Sequence, residues 1–205
     1  VKIVVGLGNP GRDYVGTRHN VGFAVADRLA AAHTDGAWRE SGSALQVRWR
    51  RGAAAEDVLI VKPLTFMNLS GEAVGEVIRF YKVPVADALI VCDDVNLPLG
   101  RLRARASGSE GGHNGLKSIA QQLGTIEYPR LRIGVGRGDN RRDLADHVLA
   151  RFEPEEVEVA AEAVGRAAEA VGLWIAEGLV RMMNSFNRAD DGTGTPGDRN
   201  DVGPE

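Results

Sequence analysis

Three short runs rich in β-branched residues constrain this 205-residue chain most: Lys2 to Gly6, Val58 to Val61 and Leu89 to Cys92. Each is too short for a stable helix and too apolar for a strand with one wet face, so each reads as a strand buried on both sides. Helical stripes lie between and after them. Val21, Val25 and Leu29 recur at helical spacing, with Asn20 placed as an N-cap. Ala73, Val74, Val77, Ile78 and Tyr81 form a second stripe, and Leu116 to Leu123 a third. Leu45, Val47 and Trp49 alternate with Gln46, Arg48 and Arg50, which reads as a strand with one buried face. Leu102 between Arg101, Arg103 and Arg105 reads as a strand with one basic face, and Leu131 to Val135 as a further strand. From Asp143 the spacing is helical through Phe186. Strands alternating with helices predict an α/β fold: a single domain with a twisted, mixed, largely parallel sheet flanked by helices. The domain is placed at residues 1–188. Residues 189–205 are mostly Asp, Gly, Thr, Pro and Asn, with Val202 the only large apolar residue, and a disordered tail is expected there.

Composition narrows the class. Apolar residues make up 43% and charged residues 26%, ordinary for a globular protein. No apolar run approaches the ~20 residues that span a bilayer, and no charged-then-apolar leader precedes the first strand, so a cytoplasmic protein without a membrane partner is expected. The single cysteine, Cys92, excludes an internal disulfide framework and reads as a small buried hydrophobe. The net charge of −3 hides an asymmetry. Residues 99–142 carry 9 basic and 3 acidic side chains, whereas residues 143–205 carry 5 basic and 14 acidic ones. The basic middle is a candidate footprint for a polyanion.

The candidate chemistry sits where the buried strands end. The first runs into Asn9, the second through Pro63 into Met67 and Asn68, the third into Asp93 and Asp94. Ligands of open α/β sheets bind beyond the carboxyl ends of the strands. If the three strands are parallel neighbours, Asn9, Asn68 and Asp93 converge on one crevice, which His19 reaches from the loop after the first strand. A carboxylate holds an imidazole in the tautomer whose other nitrogen accepts a proton. Asparagine amides can donate to a carbonyl oxygen as it gains charge. With no serine or cysteine nucleophile in these loops, the simplest reaction is attack of water on an ester or amide. His113, in a second Gly-His-Asn-Gly loop, reads equally as a turn residue, and His33 and His147 read as surface residues.

Two alternatives compete. Gly6-Leu7-Gly8-Asn9-Pro10-Gly11 matches a dinucleotide-binding fingerprint, but that motif needs a helix to open at once beneath the pyrophosphate. Here no helical period begins before about Val21. A divalent metal on Asp93, Asp94 and His19 lacks further clustered ligands.

Five blocks resemble the bacterial peptidyl-tRNA hydrolase family: Val5 to Gly11 followed by Tyr14 and Thr17-Arg18-His19-Asn20-Val21-Gly22; Lys62 to Gly71; Asp93 to Gly100; Gly111 to Lys117; and Tyr128 to Gly136. The resemblance covers about residues 1–188 in order. It implies a small monomeric α/β enzyme with no metal, no organic cofactor and no obligate protein partner. Such an enzyme cleaves the ester between a peptide and the 3′-terminal adenosine of tRNA, engaging the acceptor end. It implies His19 as the base that activates water, Asp93 as its partner, and Asn9 and Asn68 as groups that orient water and the substrate carbonyl. It further implies Asn114 at the 3′ end, Tyr14 and Met67 beside the adenosine and peptide, and Arg103 and Arg105 on the 5′ phosphate. Asn96 stands where many members have aspartate. A non-catalytic RNA-binding module of the same fold is the alternative.

Overall fold

The computed structural model describes residues 1–53, 55–138 and 143–188; the tail expected at 189–205 lies outside the described residues. Seven strands form one sheet in the order β2-β3-β4-β1-β5-β7-β6. They are β1 (Lys2–Gly6), β2 (Arg39–Ser41), β3 (Ala44–Trp49), β4 (Val58–Pro63), β5 (Ala88–Asp94), β6 (Leu102–Arg105) and β7 (Arg130–Gly134). The four central strands, β4-β1-β5-β7, run parallel. The strands beyond them, β3 with β2 on one side and β6 on the other, pair antiparallel. The mixed sheet with a parallel core is therefore as expected, and the three buried runs are indeed adjacent and parallel.

Six α-helices flank the sheet among the described residues: α1 (Val21–His33), α2 (Ser70–Tyr81), α3 (Asn114–Leu123), α4 (Leu144–Leu149), α5 (Val157–Glu177) and α6 (Leu179–Phe186). Alternation along the strands separates two cores. Val4, Val58, Ile60, Leu89 and Val91 face α1, α5 and α6. Ile3, Val5, Leu59, Val61, Ile90 and Cys92 face α2 and α3. This period of two on both faces is why the runs read as continuously apolar. Cys92 is fully buried, and burial drives its thiol far above its ordinary range.

Three local details depart from expectation. Asn20 makes no side-chain cap on α1. Strand β4 runs through Pro63, which pairs opposite Ala44 at the strand end, where the missing N–H costs least. A short edge strand, β2, precedes β3 through the two-residue turn Gly42-Ser43, with Gly42 at φ 57°.

Candidate active site

Strand β1 is the point where the chain reverses its direction across the sheet: β4 lies on one side of it and β5 on the other. A crevice at the carboxyl ends of β1 and β5 follows from that topology. Gly6 and Gly22 close its floor. A Cβ on Gly6 would lie 2.2 Å from the Gly22 carbonyl oxygen, so only glycine lets β1 meet the start of α1 this closely. The loop from Asn9 to Asn20 is thereby drawn over the strand ends. Helix α1 begins 13 residues after Gly8, at Val21, so no α-helix opens directly from the Gly-x-Gly-x-x-Gly run.

His19 lies on a one-turn 3₁₀ segment, Arg18–Asn20. Its Nδ1 is 2.8 Å from Asp93 Oδ1 and 2.9 Å from Oδ2. An ionised carboxylate only accepts, so Nδ1 carries the hydrogen and Nε2 keeps its lone pair. His113 approaches the same carboxylate, with Nε2 2.9 Å from Asp93 Oδ1. Its Nδ1 accepts the backbone N–H groups of Gly115 and Leu116, capping α3. The cap therefore places the hydrogen of His113 on Nε2. The two imidazole rings stand 5.0 Å apart. Burial alone would raise the Asp93 carboxyl; charge and hydrogen bonds from His113 and His19 outweigh it and hold the carboxyl well below the usual carboxylate range. Asp93 is thus an anion gripped by two donors.

The cavity at this pair has a volume of about 280 Å³. His19, Asp93, Asp94, His113 and Asn114 line it, together with Arg132 and Arg137 and with Leu144, Ala145 and Val148 of α4. No serine, threonine or cysteine is among its lining residues. Helix α4 is tied to the loop that carries His19 by Arg18, which is almost fully buried. Arg18 donates to the carbonyls of His147, Ala150 and Arg151 and pairs with Glu156.

Asn9 is held by three bonds. Its Oδ1 accepts the Met67 N–H at 2.7 Å. Its backbone exchanges hydrogen bonds with the Asn20 amide, at 2.9 Å to Asn20 Oδ1 and 3.0 Å from Asn20 Nδ2. With Oδ1 occupied, the Asn9 Nδ2 group is the end left to donate. Asn9 lines a neighbouring groove rather than the cavity of His19. Met67 is buried, whereas Asn68 beside it is exposed. Tyr14 is partly buried, edge-on to the exposed ring of Phe66 with centroids 6.2 Å apart.

Arg103 and Arg105 lie on the edge strand β6, both exposed and on the same face. Opposite them in register stand Arg132 and Arg130 on β7. Those two arginines are structural. Arg130 is buried and donates to the carbonyls of Gly108, Ile126 and Tyr128. Arg132 pairs with Asp94 at 3.2 Å and donates to the Ser109 carbonyl. The local excess of positive charge therefore overstates what is free to meet a polyanion.

Sequence reading misplaces three residues here. His113 is a partner of Asp93 as well as a turn residue; nothing in its spacing points to residue 93, because the contact crosses from α3 to β5. Asn20 clamps Asn9 instead of capping α1. His147 is buried, with Nε2 3.0 Å from the Gly136 carbonyl, not on the surface. His33 is exposed as expected, stacked on Trp49 at 3.8 Å. The carboxylate–histidine cluster that could hold a metal comprises His19, Asp93 and His113, with ligand atoms within 4.8 Å of one another, and does not include Asp94. Both imidazole nitrogens that face Asp93 are engaged as hydrogen-bond donors to it.

A histidine–carboxylate pair in the crevice of an open α/β sheet, with no side-chain nucleophile lining the cavity, is the equipment of a hydrolase that uses water. The family model for peptidyl-tRNA hydrolase matches residues 3–193. The peptidyl-tRNA hydrolase of Symbiobacterium thermophilum is 47% identical over 186 residues, covering 91% of this chain and 98% of the relative. That of Geobacillus thermodenitrificans is 46% identical over 190 residues, covering 91% and 100%. The crystal structure of peptidyl-tRNA hydrolase from Acinetobacter baumannii superposes with a TM-score of 0.83 at 31% identity, covering 91% of this chain and 94% of that one. The chain belongs to the peptidyl-tRNA hydrolase family.

Proposed function

We propose that this chain hydrolyses the ester between a peptide, or an N-blocked aminoacyl group, and the 3′-terminal adenosine of tRNA, returning free tRNA and peptide after aborted translation. The observation that carries the reading is the 2.8 Å contact from His19 Nδ1 to Asp93, which leaves Nε2 as a proton acceptor beside the cavity. Water attacks the ester carbonyl carbon while His19 Nε2 takes its proton. Collapse of the tetrahedral intermediate breaks the bond to the ribose 3′ oxygen, which recovers that proton. The products are a carboxylic acid and a ribose hydroxyl, and neither a metal nor an organic cofactor is needed for the balance.

Asp93 orients His19 and stabilises the imidazolium that forms. Asn9, with Oδ1 committed to Met67, offers Nδ2 to the water or to the developing oxyanion. Asn68 and Asn114 orient the substrate from exposed positions around the crevice. Tyr14 and Met67 flank the adenosine and the first peptide residue. Arg103 and Arg105 take the 5′ phosphate, as their shared exposed face on β6 allows. The catalytic domain closes at about residue 188, and the protein works as a cytoplasmic monomer. No helix among the described residues is long and apolar enough to cross a membrane.

Incubation with N-acetylaminoacyl-tRNA tests the reading. Release of the acyl group, abolished in His19→Ala, supports it. Tight tRNA binding without turnover would favour the non-catalytic RNA-binding module instead.

A further inference from the structure

The cavity beside His19 carries two guanidinium groups whose charges are unequally balanced. Arg132 faces the carboxylate of Asp94 at 3.2 Å. Arg137, on the loop after β7, has a neutral partner: its Nη2 donates to Asn96 Oδ1 at 2.7 Å. Among the described residues no carboxylate lies within ion-pair distance of Arg137. Asn96 is itself well held. Its backbone N–H donates to Asp94 Oδ1 at 2.8 Å, and its Nδ2 donates to the Gly111 carbonyl at 3.4 Å. The amide is thus oriented with oxygen toward Arg137, which anchors the guanidinium at one nitrogen and leaves it without a carboxylate partner among the described residues. Leu144, Ala145 and Val148 of α4 add apolar lining. The cavity is thus lined by both guanidinium groups, by the carboxylates of Asp93 and Asp94, which His19, His113 and Arg132 engage, by apolar side chains, and by Asn114.

We propose that Arg137 is a specificity-determining residue that binds an anionic oxygen group of the substrate in this cavity. That group is either the side-chain carboxylate of the esterified aminoacyl residue or a phosphate of the tRNA 3′ end. Both present oxygens that a guanidinium fork recognises, and Arg137 retains N–H groups beyond the one given to Asn96. The inference rests on the hydrolase reading above. It predicts that Asn96→Asp, nearly isosteric, would cancel the charge of Arg137 in place and mimic its removal.

The test compares N-acetylglutamyl, N-acetylglutaminyl and N-acetyllysyl esters, each on one tRNA and on adenosine alone. The readout is the ratio of kcat/KM between esters for wild type, Arg137→Gln and Asn96→Asp, so that a general fall in activity cancels. If the acyl carboxylate is the ligand, wild type favours glutamyl over glutaminyl ester by about two- to fivefold, the size of an exposed ion pair. Lysyl ester is then the poorest, and both variants abolish the preference on tRNA and adenosine alike. If the phosphate is the ligand, both variants weaken all three tRNA esters equally and spare the adenosine esters. Ratios and tRNA affinities unmoved by either variant would overturn the proposal. Failure of wild type to hydrolyse any ester would instead overturn the hydrolase reading.

Discussion

His113 Nε2 reaches Asp93 Oδ1 at 2.9 Å, so the carboxylate that orients His19 is shared with a second imidazole. Removing either donor changes the field at the other. In Asp93→Asn both histidines are deprived of an anionic acceptor, yet the His19 ring remains, so turnover should fall less than in His19→Ala. His113→Ala should also cost about 1 kcal/mol of stability by removing the α3 cap. Because both residues act through one carboxylate, a double-mutant cycle of Asp93→Asn and His113→Ala should be non-additive in kcat by about 0.5–3 kcal/mol. Additive effects would show that His113 serves the helix cap and not the catalytic pair.

Turnover should depend on His19 far more than substrate binding does. His19→Ala removes the proton acceptor and should lower kcat by ~10²–10⁴-fold, with tRNA affinity retained. Steady-state kinetics beside a filter-binding titration separates the two. Near-full activity in the variant would transfer the base role elsewhere, with His113 the first candidate.

His19, Asp93 and His113 bring ligand atoms within 4.8 Å of one another, yet an ion there would have to displace the hydrogens that both rings share with Asp93. Dialysis against a chelator should leave turnover unchanged. Inhibition reversed by a divalent cation would assign the cluster to a metal.

Arg103 and Arg105 are exposed on one face of β6, whereas Arg130 and Arg132 opposite them are already engaged. Replacing Arg103 and Arg105 by alanine should raise KM for tRNA substrates and flatten the salt dependence of binding, by about one log–log unit for each duplex phosphate no longer neutralised. Hydrolysis of an adenosine ester, which lacks that phosphate, should be nearly unaltered. An equal decline on both substrates would make these arginines part of the fold.

The phenol of Tyr128 should ionise above the ordinary tyrosine range. Its hydroxyl is buried and donates to the Leu116 carbonyl at 3.0 Å. Burial pushes the phenol up to about 12, against a smaller opposing pull from Arg130. A raised value in the fold favours the neutral form. Its stabilising contribution is complete below about pH 10, the unfolded value, and is lost as pH rises toward 12. Absorbance near 295 nm during an alkaline titration should show this phenol delayed until the protein unfolds. Ionisation of Tyr128 in the ordinary tyrosine range would contradict its burial.

Much of this molecule is written in local pattern. The runs Lys2–Gly6, Val58–Val61 and Leu89–Cys92 declare themselves because a strand buried on both faces has no polar alternation to disguise it. Their neighbourhood follows from the rule that parallel strands need helical crossovers, and the position of Asn9 and Asp93 follows from where those strands stop. His19 is legible as a polar residue among glycines with nothing apolar to pack against.

What the linear order leaves open is who meets whom across the sheet. His113 reaches Asp93 because α3 packs beside β5, a contact spanning 20 residues that no periodicity encodes. His147 looks like a surface residue in sequence, but the fold buries it, and it buries Arg18 as the tie between the loop that carries His19 and α4. The charge count likewise treats every arginine alike. Only the tertiary structure separates Arg130 and Arg132, whose charges face carbonyls and Asp94, from Arg103, Arg105 and Arg137, whose charges do not. The physical reason is the same in each case. Apolar burial is set by a residue's own character and spacing, whereas a polar group's role depends on the partner that the fold brings within about 3 Å of it.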